Sequence, residues 1–172
     1  MPAKKGIEWN TLIRECLDST TVAVLATSNG SDVWAVPVYF SYDDSFNIYF
    51  ISSGDTRHME DIMTHPEVSV AIVMPHRPGM HQVFVQVNGI ATEVPEEDIE
   101  EVYAMRNRKL AYRGMHSGME HEGHFVRQHG GIFMRISPRM MRYMNTEIFG
   151  SSPEIVPIAD IAGKARESRM KE

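Results

Sequence analysis

Cys16 is the only cysteine among 172 residues, so no disulfide can form within the chain. Long apolar runs are missing as well: no stretch approaches the roughly 18 residues of a membrane span. The basic start, Met1-Pro-Ala-Lys-Lys-Gly6, is not followed by an apolar segment, so no secretory signal is expected. Positive charge is not in excess. Seventeen Lys and Arg stand against 23 Asp and Glu, a net −6, and that balance offers no footprint for nucleic acid or an anionic membrane. These absences point to a cytoplasmic, reducing compartment. The length suits one domain that buries about 70% of its unfolded surface. Methionine is plentiful at 13, mostly between Met105 and Met144, and reads as adaptable core filler.

The order of elements is the main structural signal. Apolar residues at 9, 12, 13, 16 and 17 have helical spacing, and Cys16 falls on that apolar face as a structural thiol. A β-rich run, Thr21 to Thr27, meets the hairpin signal Asn29-Gly30, and Val33 to Phe40 returns from it. Pro37 inside that strand implies an edge, or a position whose amide the ladder does not need. Strands follow at Phe46 to Ile51, Val68 to Met74 and His81 to Ile90, with a helix over Thr56 to Thr64 that stops before His65-Pro66. A helix opens at Pro95 and closes near Lys109, its many acids forming a solvated face. Residues 111–130 have no clear period and read as a loop. Ile132 to Ile136 and Met140 to Met144 read as a strand pair broken at Ser137-Pro138. The expected fold is mainly β (α+β), since short strands in close succession with peripheral helices favour a closed or partly closed barrel. Residues 1–150 form its single domain, and 151–172 form a polar tail, mobile or used at an interface.

The stretch with most chemistry is Ile48-Tyr-Phe-Ile-Ser-Ser-Gly-Asp-Thr-Arg-His58. A strand runs into two serines and then into a helix start, whose free amides and positive dipole end favour an anion. Thr56 can accept from those amides or turn its hydroxyl to a ligand, and Arg57 offers a planar fork that suits phosphate. An ordinary capped helix with an exposed Arg and His is the plainer reading of these residues alone.

The order of motifs resembles the pyridoxamine 5′-phosphate oxidase-like, FMN-binding split-barrel family over about residues 20 to 150. The resemblance rests on Val24-Leu-Ala-Thr27, Asn29-Gly30, Val36-Pro-Val-Tyr-Phe40, Tyr49-Phe-Ile-Ser-Ser53, Thr56-Arg57-His58, His65-Pro66 and Gln86-Val-Asn-Gly89. Phe133-Met-Arg-Ile-Ser-Pro138, Tyr143 and Phe149-Gly150 resemble its closing strands. It implies an FMN phosphate against Thr56, Arg57 and His58, and an isoalloxazine ring along the main chain of Val36, Pro37 and Val38. Ser52 and Ser53 would lie near the ring's polar edge, with Gln86 reaching ring or phosphate. It also implies a six-stranded antiparallel split β-barrel with peripheral helices, a homodimer that shares the flavin, and an oxidoreductase acting on a small molecule.

The chain departs from the family in two places. Trp34, Ala35 and Val36 occupy the stretch where many members carry a basic residue, and His58 stands for a lysine as a partly charged group. The substrate-holding Arg and His pattern of true pyridoxamine-phosphate oxidases has no counterpart, so a vitamin B6 oxidase is not expected. His116, His121, His124 and His129 fit no metal pattern, and no metal is expected. The alternative function is a non-catalytic ligand-binding or haem-binding and haem-degrading split barrel, with those histidines as the feature to watch.

Overall fold

The computed structural model describes residues 6–75, 78–112, 123–159 and 161. The elements, in chain order, are α1 (Trp9–Asp18), β1 (Val22–Ser28), β2 (Val33–Tyr42), β3 (Ile48–Ser53), α2 (Arg57–Thr64), β4 (Glu67–Val73) and β5 (Val83–Glu93). A 3-10 turn, Glu96–Asp98, leads into α3 (Ile99–Tyr112). The chain then forms α4 (Gly123–Gln128), β6 (Gly131–Asn145), α5 (Thr146–Phe149) and β7 (Glu154–Ile155).

Every strand pairing is antiparallel, in the order β3-β2-β1-β4-β5-β6-β7, and a further β3–β6 pairing closes the first six into a barrel. Alternation directs the side chains. In β1, Ala23, Leu25 and Thr27 are buried while Val22 and Val24 face outward. Leu25, Phe40, Phe50, Ile72, Val85 and Ile136 fill the interior. Each such side chain contributes roughly 1.5–3 kcal/mol by leaving water. Helix α1 plugs the barrel with Ile13, Cys16 and Leu17, and Trp9 stacks on Phe149 at 5.7 Å between ring centroids. Burial pushes the Cys16 thiol up to about 11, so it stays protonated and inert.

The barrel is split between β2 and β3. They pair only through Phe40, Ser41 and Tyr42, so Val33 to Tyr39 has β1 on one side and no strand on the other among the described residues. Pro37 sits in this free-edged half, which costs the ladder nothing. Helix α3 packs against β2, and a second small core of Tyr49, Ile99, Tyr103 and Phe133 holds it over the outer face of β3 and β6.

Two expectations are corrected here. Residues 131–145 form one continuous strand, because a bulge at Arg139, between the pairs Asn88–Met140 and Gly89–Pro138, carries the ladder past Pro138. Gly89 is required there, since a Cβ would lie 2.5 Å from the Ser137 carbonyl oxygen. The expected loop at 111–130 contains the end of α3 and all of α4, with 113–122 outside the described residues. Beyond Gly150 the chain turns back: β7 pairs with Arg142 and Tyr143, and Val156 and Ile161 are buried. The described part of the expected tail therefore packs onto the barrel. No helix among the described residues is long and apolar enough to cross a membrane.

Candidate functional site

The alternation of two strands builds one end of the split. In β3, Ile48 and Phe50 point into the core, and the next residue of that row is Ser52. In β2 the inward row runs back from Phe40 through Val38 and Val36 to Trp34, which lies opposite the buried Thr27. Both rows leave the apolar interior at the same end of the barrel, one as a serine and the other as a half-exposed tryptophan. Helix α2 starts there.

Helix α2 buries His58, Met59, Asp61 and Ile62 against the barrel. The Thr27 hydroxyl donates to Asp61 Oδ2 at 2.7 Å with both residues buried, which pins the helix to β1. Arg57 consequently projects outward, with its guanidinium carbon 4.6 Å from the centre of the Trp34 ring. That cation–π contact, worth about 0.5–1 kcal/mol at an exposed site, restricts the arginine before any ligand arrives.

Thr56 and His58 are placed differently from expectation. The Thr56 hydroxyl makes no capping bond to the helix; it donates to the Ser53 carbonyl at 2.9 Å. The first amides of α2 are therefore not taken by that side chain. His58 is buried, with Nε2 2.7 Å from Ser52 Oγ and 3.3 Å from Thr56 Oγ1. Desolvation lowers its pKa, and the Asp61 carboxylate offsets this only in part. The neutral ring is favoured, so His58 carries less charge than the sequence alone suggests. Of the residues expected around the phosphate, Arg57 carries the positive charge, while Ser52, Thr56 and His58 form a compact polar cluster behind it.

The remaining expected residues divide into two places. Val36, Pro37 and Val38 run along the free edge of β2 beside the cluster. Ser52 and Ser53 line a cleft of about 340 Å³ with Val126 and His129. Gln86 lies elsewhere, exposed on the outer face of β5 in a cleft of about 290 Å³ with Val24, Ala71 and Arg142. Register measures the separation. Gln86 pairs with Ala71, Ala71 with Val24 and Val24 with Pro37, so Gln86 lies three strands, roughly 15 Å, from Pro37. Gln86 faces outward while Trp34, beneath Arg57, belongs to the inward row of β2, so the two sit on opposite faces of the sheet.

Trp34 was legible only as the absence of a basic residue; its place in the inward row of β2 is the signal that identifies it. Of the histidines, 76, 116 and 121 lie outside the described residues, and no metal-holding group of three His, Cys, Asp or Glu occurs among those described.

A family model described as pyridoxamine 5′-phosphate oxidase matches residues 10–141. No curated protein matches the chain significantly. Solved structures share the fold at low identity. A haem-binding protein from Mycobacterium smegmatis superposes with a TM-score of 0.69 at 17% identity, over 91% of this chain, which spans 61% of that protein's length. A FAD-binding protein from Mesorhizobium loti gives 0.54 at 23% identity, over 74% of this chain and 87% of the other. General Stress Protein 26 from Bacillus anthracis gives 0.62 at 15% identity, over 87% and 98%.

Proposed function

The chain belongs to the pyridoxamine 5′-phosphate oxidase family, and from that premise we propose that it is an FMN-binding oxidoreductase acting on a small molecule as a homodimer. The observation that carries this reading is Arg57, held on the Trp34 ring at the start of α2, beside the free edge of β2. An exposed planar fork next to uncapped helical amides fits a phosphate monoester. The free edge of β2 at Pro37, whose carbonyl faces away from β1, fits a planar heterocycle with hydrogen-bonding groups on its edge. Thr56 and Arg57 would hold the phosphate, and Ser52 and Ser53 would face the ring's polar edge. His58 would act from behind, orienting the Ser52 hydroxyl. A bound flavin supplies two-electron chemistry; this chain's residues bind it, orient it and exclude water.

The outward facing of Gln86, away from the row that carries Trp34, supports the homodimer. If Gln86 serves the cofactor, it does so from a second copy. The outer face around it is suitably apolar, with Val22, Val24, Tyr39, Val73 and Met140 between 38% and 51% exposed.

The purified protein should show a flavin spectrum, or acquire one on titration with FMN. Arg57→Ala should weaken binding by about 1.5–3 kcal/mol, tenfold to more than a hundredfold, with little change in melting temperature. Unchanged affinity in that variant would remove the site assignment. A Soret band in place of a flavin spectrum would favour haem binding instead.

A further inference from the structure

We propose that the opposite end of β2 carries a second ligand site, built to take a small carboxylate with a flat apolar body. Between α1, the end of β2 and α3 lies a cleft of about 350 Å³, lined by Arg14, Asp18, Ser41, Tyr42, Met105 and two cations of α3, Arg108 and Lys109. Ser41 and Trp34 lie seven residues apart on an extended strand, roughly 23 Å, so this cleft is separate from the Arg57 end.

A buried hydroxyl is the first sign of a ligand. Ser41 is 1% exposed, and its Oγ has no hydrogen-bond partner. Native buried hydroxyls are nearly always paired, and one left unpaired is destabilising unless something in the cleft completes it. Its neighbour across the ladder, Tyr49, does not do so; that hydroxyl donates to Asp43 at 3.0 Å.

The charges give the ligand its sign. Arg14, Arg108 and Lys109 face two acids, and each acid already has a partner. Asp18 accepts from the Tyr42 hydroxyl at 2.7 Å, and Asp44 pairs with Arg14 at 2.8 Å. The surplus is one positive charge, which suits a monoanion.

The walls give it its shape. Lys109 Nζ sits 3.4 Å from the centre of the Phe40 ring and donates to the Leu17 carbonyl at 2.8 Å, so the ammonium is fixed over an aromatic floor. Tyr42 and Phe46 stack at 6.2 Å behind it, and Met105 supplies an adaptable wall. A carboxylate would accept from Ser41 and meet the cations, while its flat body would lie against Tyr42 and Met105.

Calorimetric titration of the full chain with benzoate, and with benzyl alcohol as its uncharged counterpart, tests this. Benzoate should bind saturably and benzyl alcohol should not. Ser41→Ala and Arg108→Gln should each weaken benzoate binding about tenfold. Ser41→Ala should melt no lower than wild type, because it removes a hydroxyl that is unpaired without ligand. FMN titrations of both variants should match wild type, which separates this site from the flavin site whether or not FMN binds. The proposal is overturned by no saturable benzoate binding up to about 10 mM, by equal affinity for benzyl alcohol, by unchanged affinity in the variants, or by displacement of benzoate by FMN.

Discussion

His58 shows how one side chain's surroundings decide its chemistry. As a letter beside Arg57 it reads as a second phosphate ligand, yet it is buried with Nε2 on Ser52, and its pKa is lowered by desolvation. The signal was available in the helical period. His58, Asp61 and Ile62 are spaced i, i+3, i+4, and that face is the one α2 buries. The shift has a definite sign. The unfolded chain takes up a proton near the ordinary histidine value of about 6.5, which the folded chain refuses until the pH is lower. Stability therefore rises with pH across that window and falls as the solution is acidified through it. Urea midpoints measured from pH 7.5 to 5 should drop, and His58→Asn should flatten that part of the profile. A wild-type midpoint independent of pH there would contradict the burial. Trp34 teaches the complementary lesson. Its identity was plain in the sequence, but the contact with Arg57 joins two elements whose approach no local pattern specifies.

At the scale of elements, α2 is positioned by Thr27 and Asp61 as much as by its apolar face. Thr27→Val keeps the shape of the side chain but leaves a buried carboxylate without its 2.7 Å partner. The substitution should lower stability by about 1–3 kcal/mol, the cost of an unsatisfied buried group. It should also weaken FMN binding, because the start of α2 is no longer fixed. Equal stability in chemical denaturation would show that the helix is held by Met59 and Ile62 alone. Helix α2 and the hairpin at Asn29-Gly30 were legible because turn chemistry and proline mark their ends. Gly30 has φ 93°, and Asn29 Oδ1 accepts from the amides of Ser31 and Asp32. Strand β6 was not legible as one element. A proline within a strand locally implies a break, and only the partner Gly89, far away in sequence, allows the backbone to pass.

On the scale of the whole molecule, the strand rhythm made a closed or partly closed barrel readable, because each β-rich run is short and each turn is marked, and the order of motifs made it a split one. The seam was not readable, since which strands meet there depends on contacts remote in sequence. The outer apolar band carries the expectation about assembly. Light scattering should give twice the chain mass, and Val24→Asp, on the exposed face of β1, should yield a monomer that has also lost FMN affinity. A monomeric wild type with full flavin binding would rule out the shared site. The β3–β6 seam has a kinetic consequence as well. Ser53 meets Gly131 and Ile48 meets Ile136, so the seam closes loops of roughly 80–90 residues, while β1–β2 and β4–β5 close locally. High contact order of this kind delays the last ladder until after the hairpins have formed. Shaving the seam with Ile136→Val should then leave the refolding rate nearly unchanged and speed unfolding, so the barrel opens by the route along which it last closed.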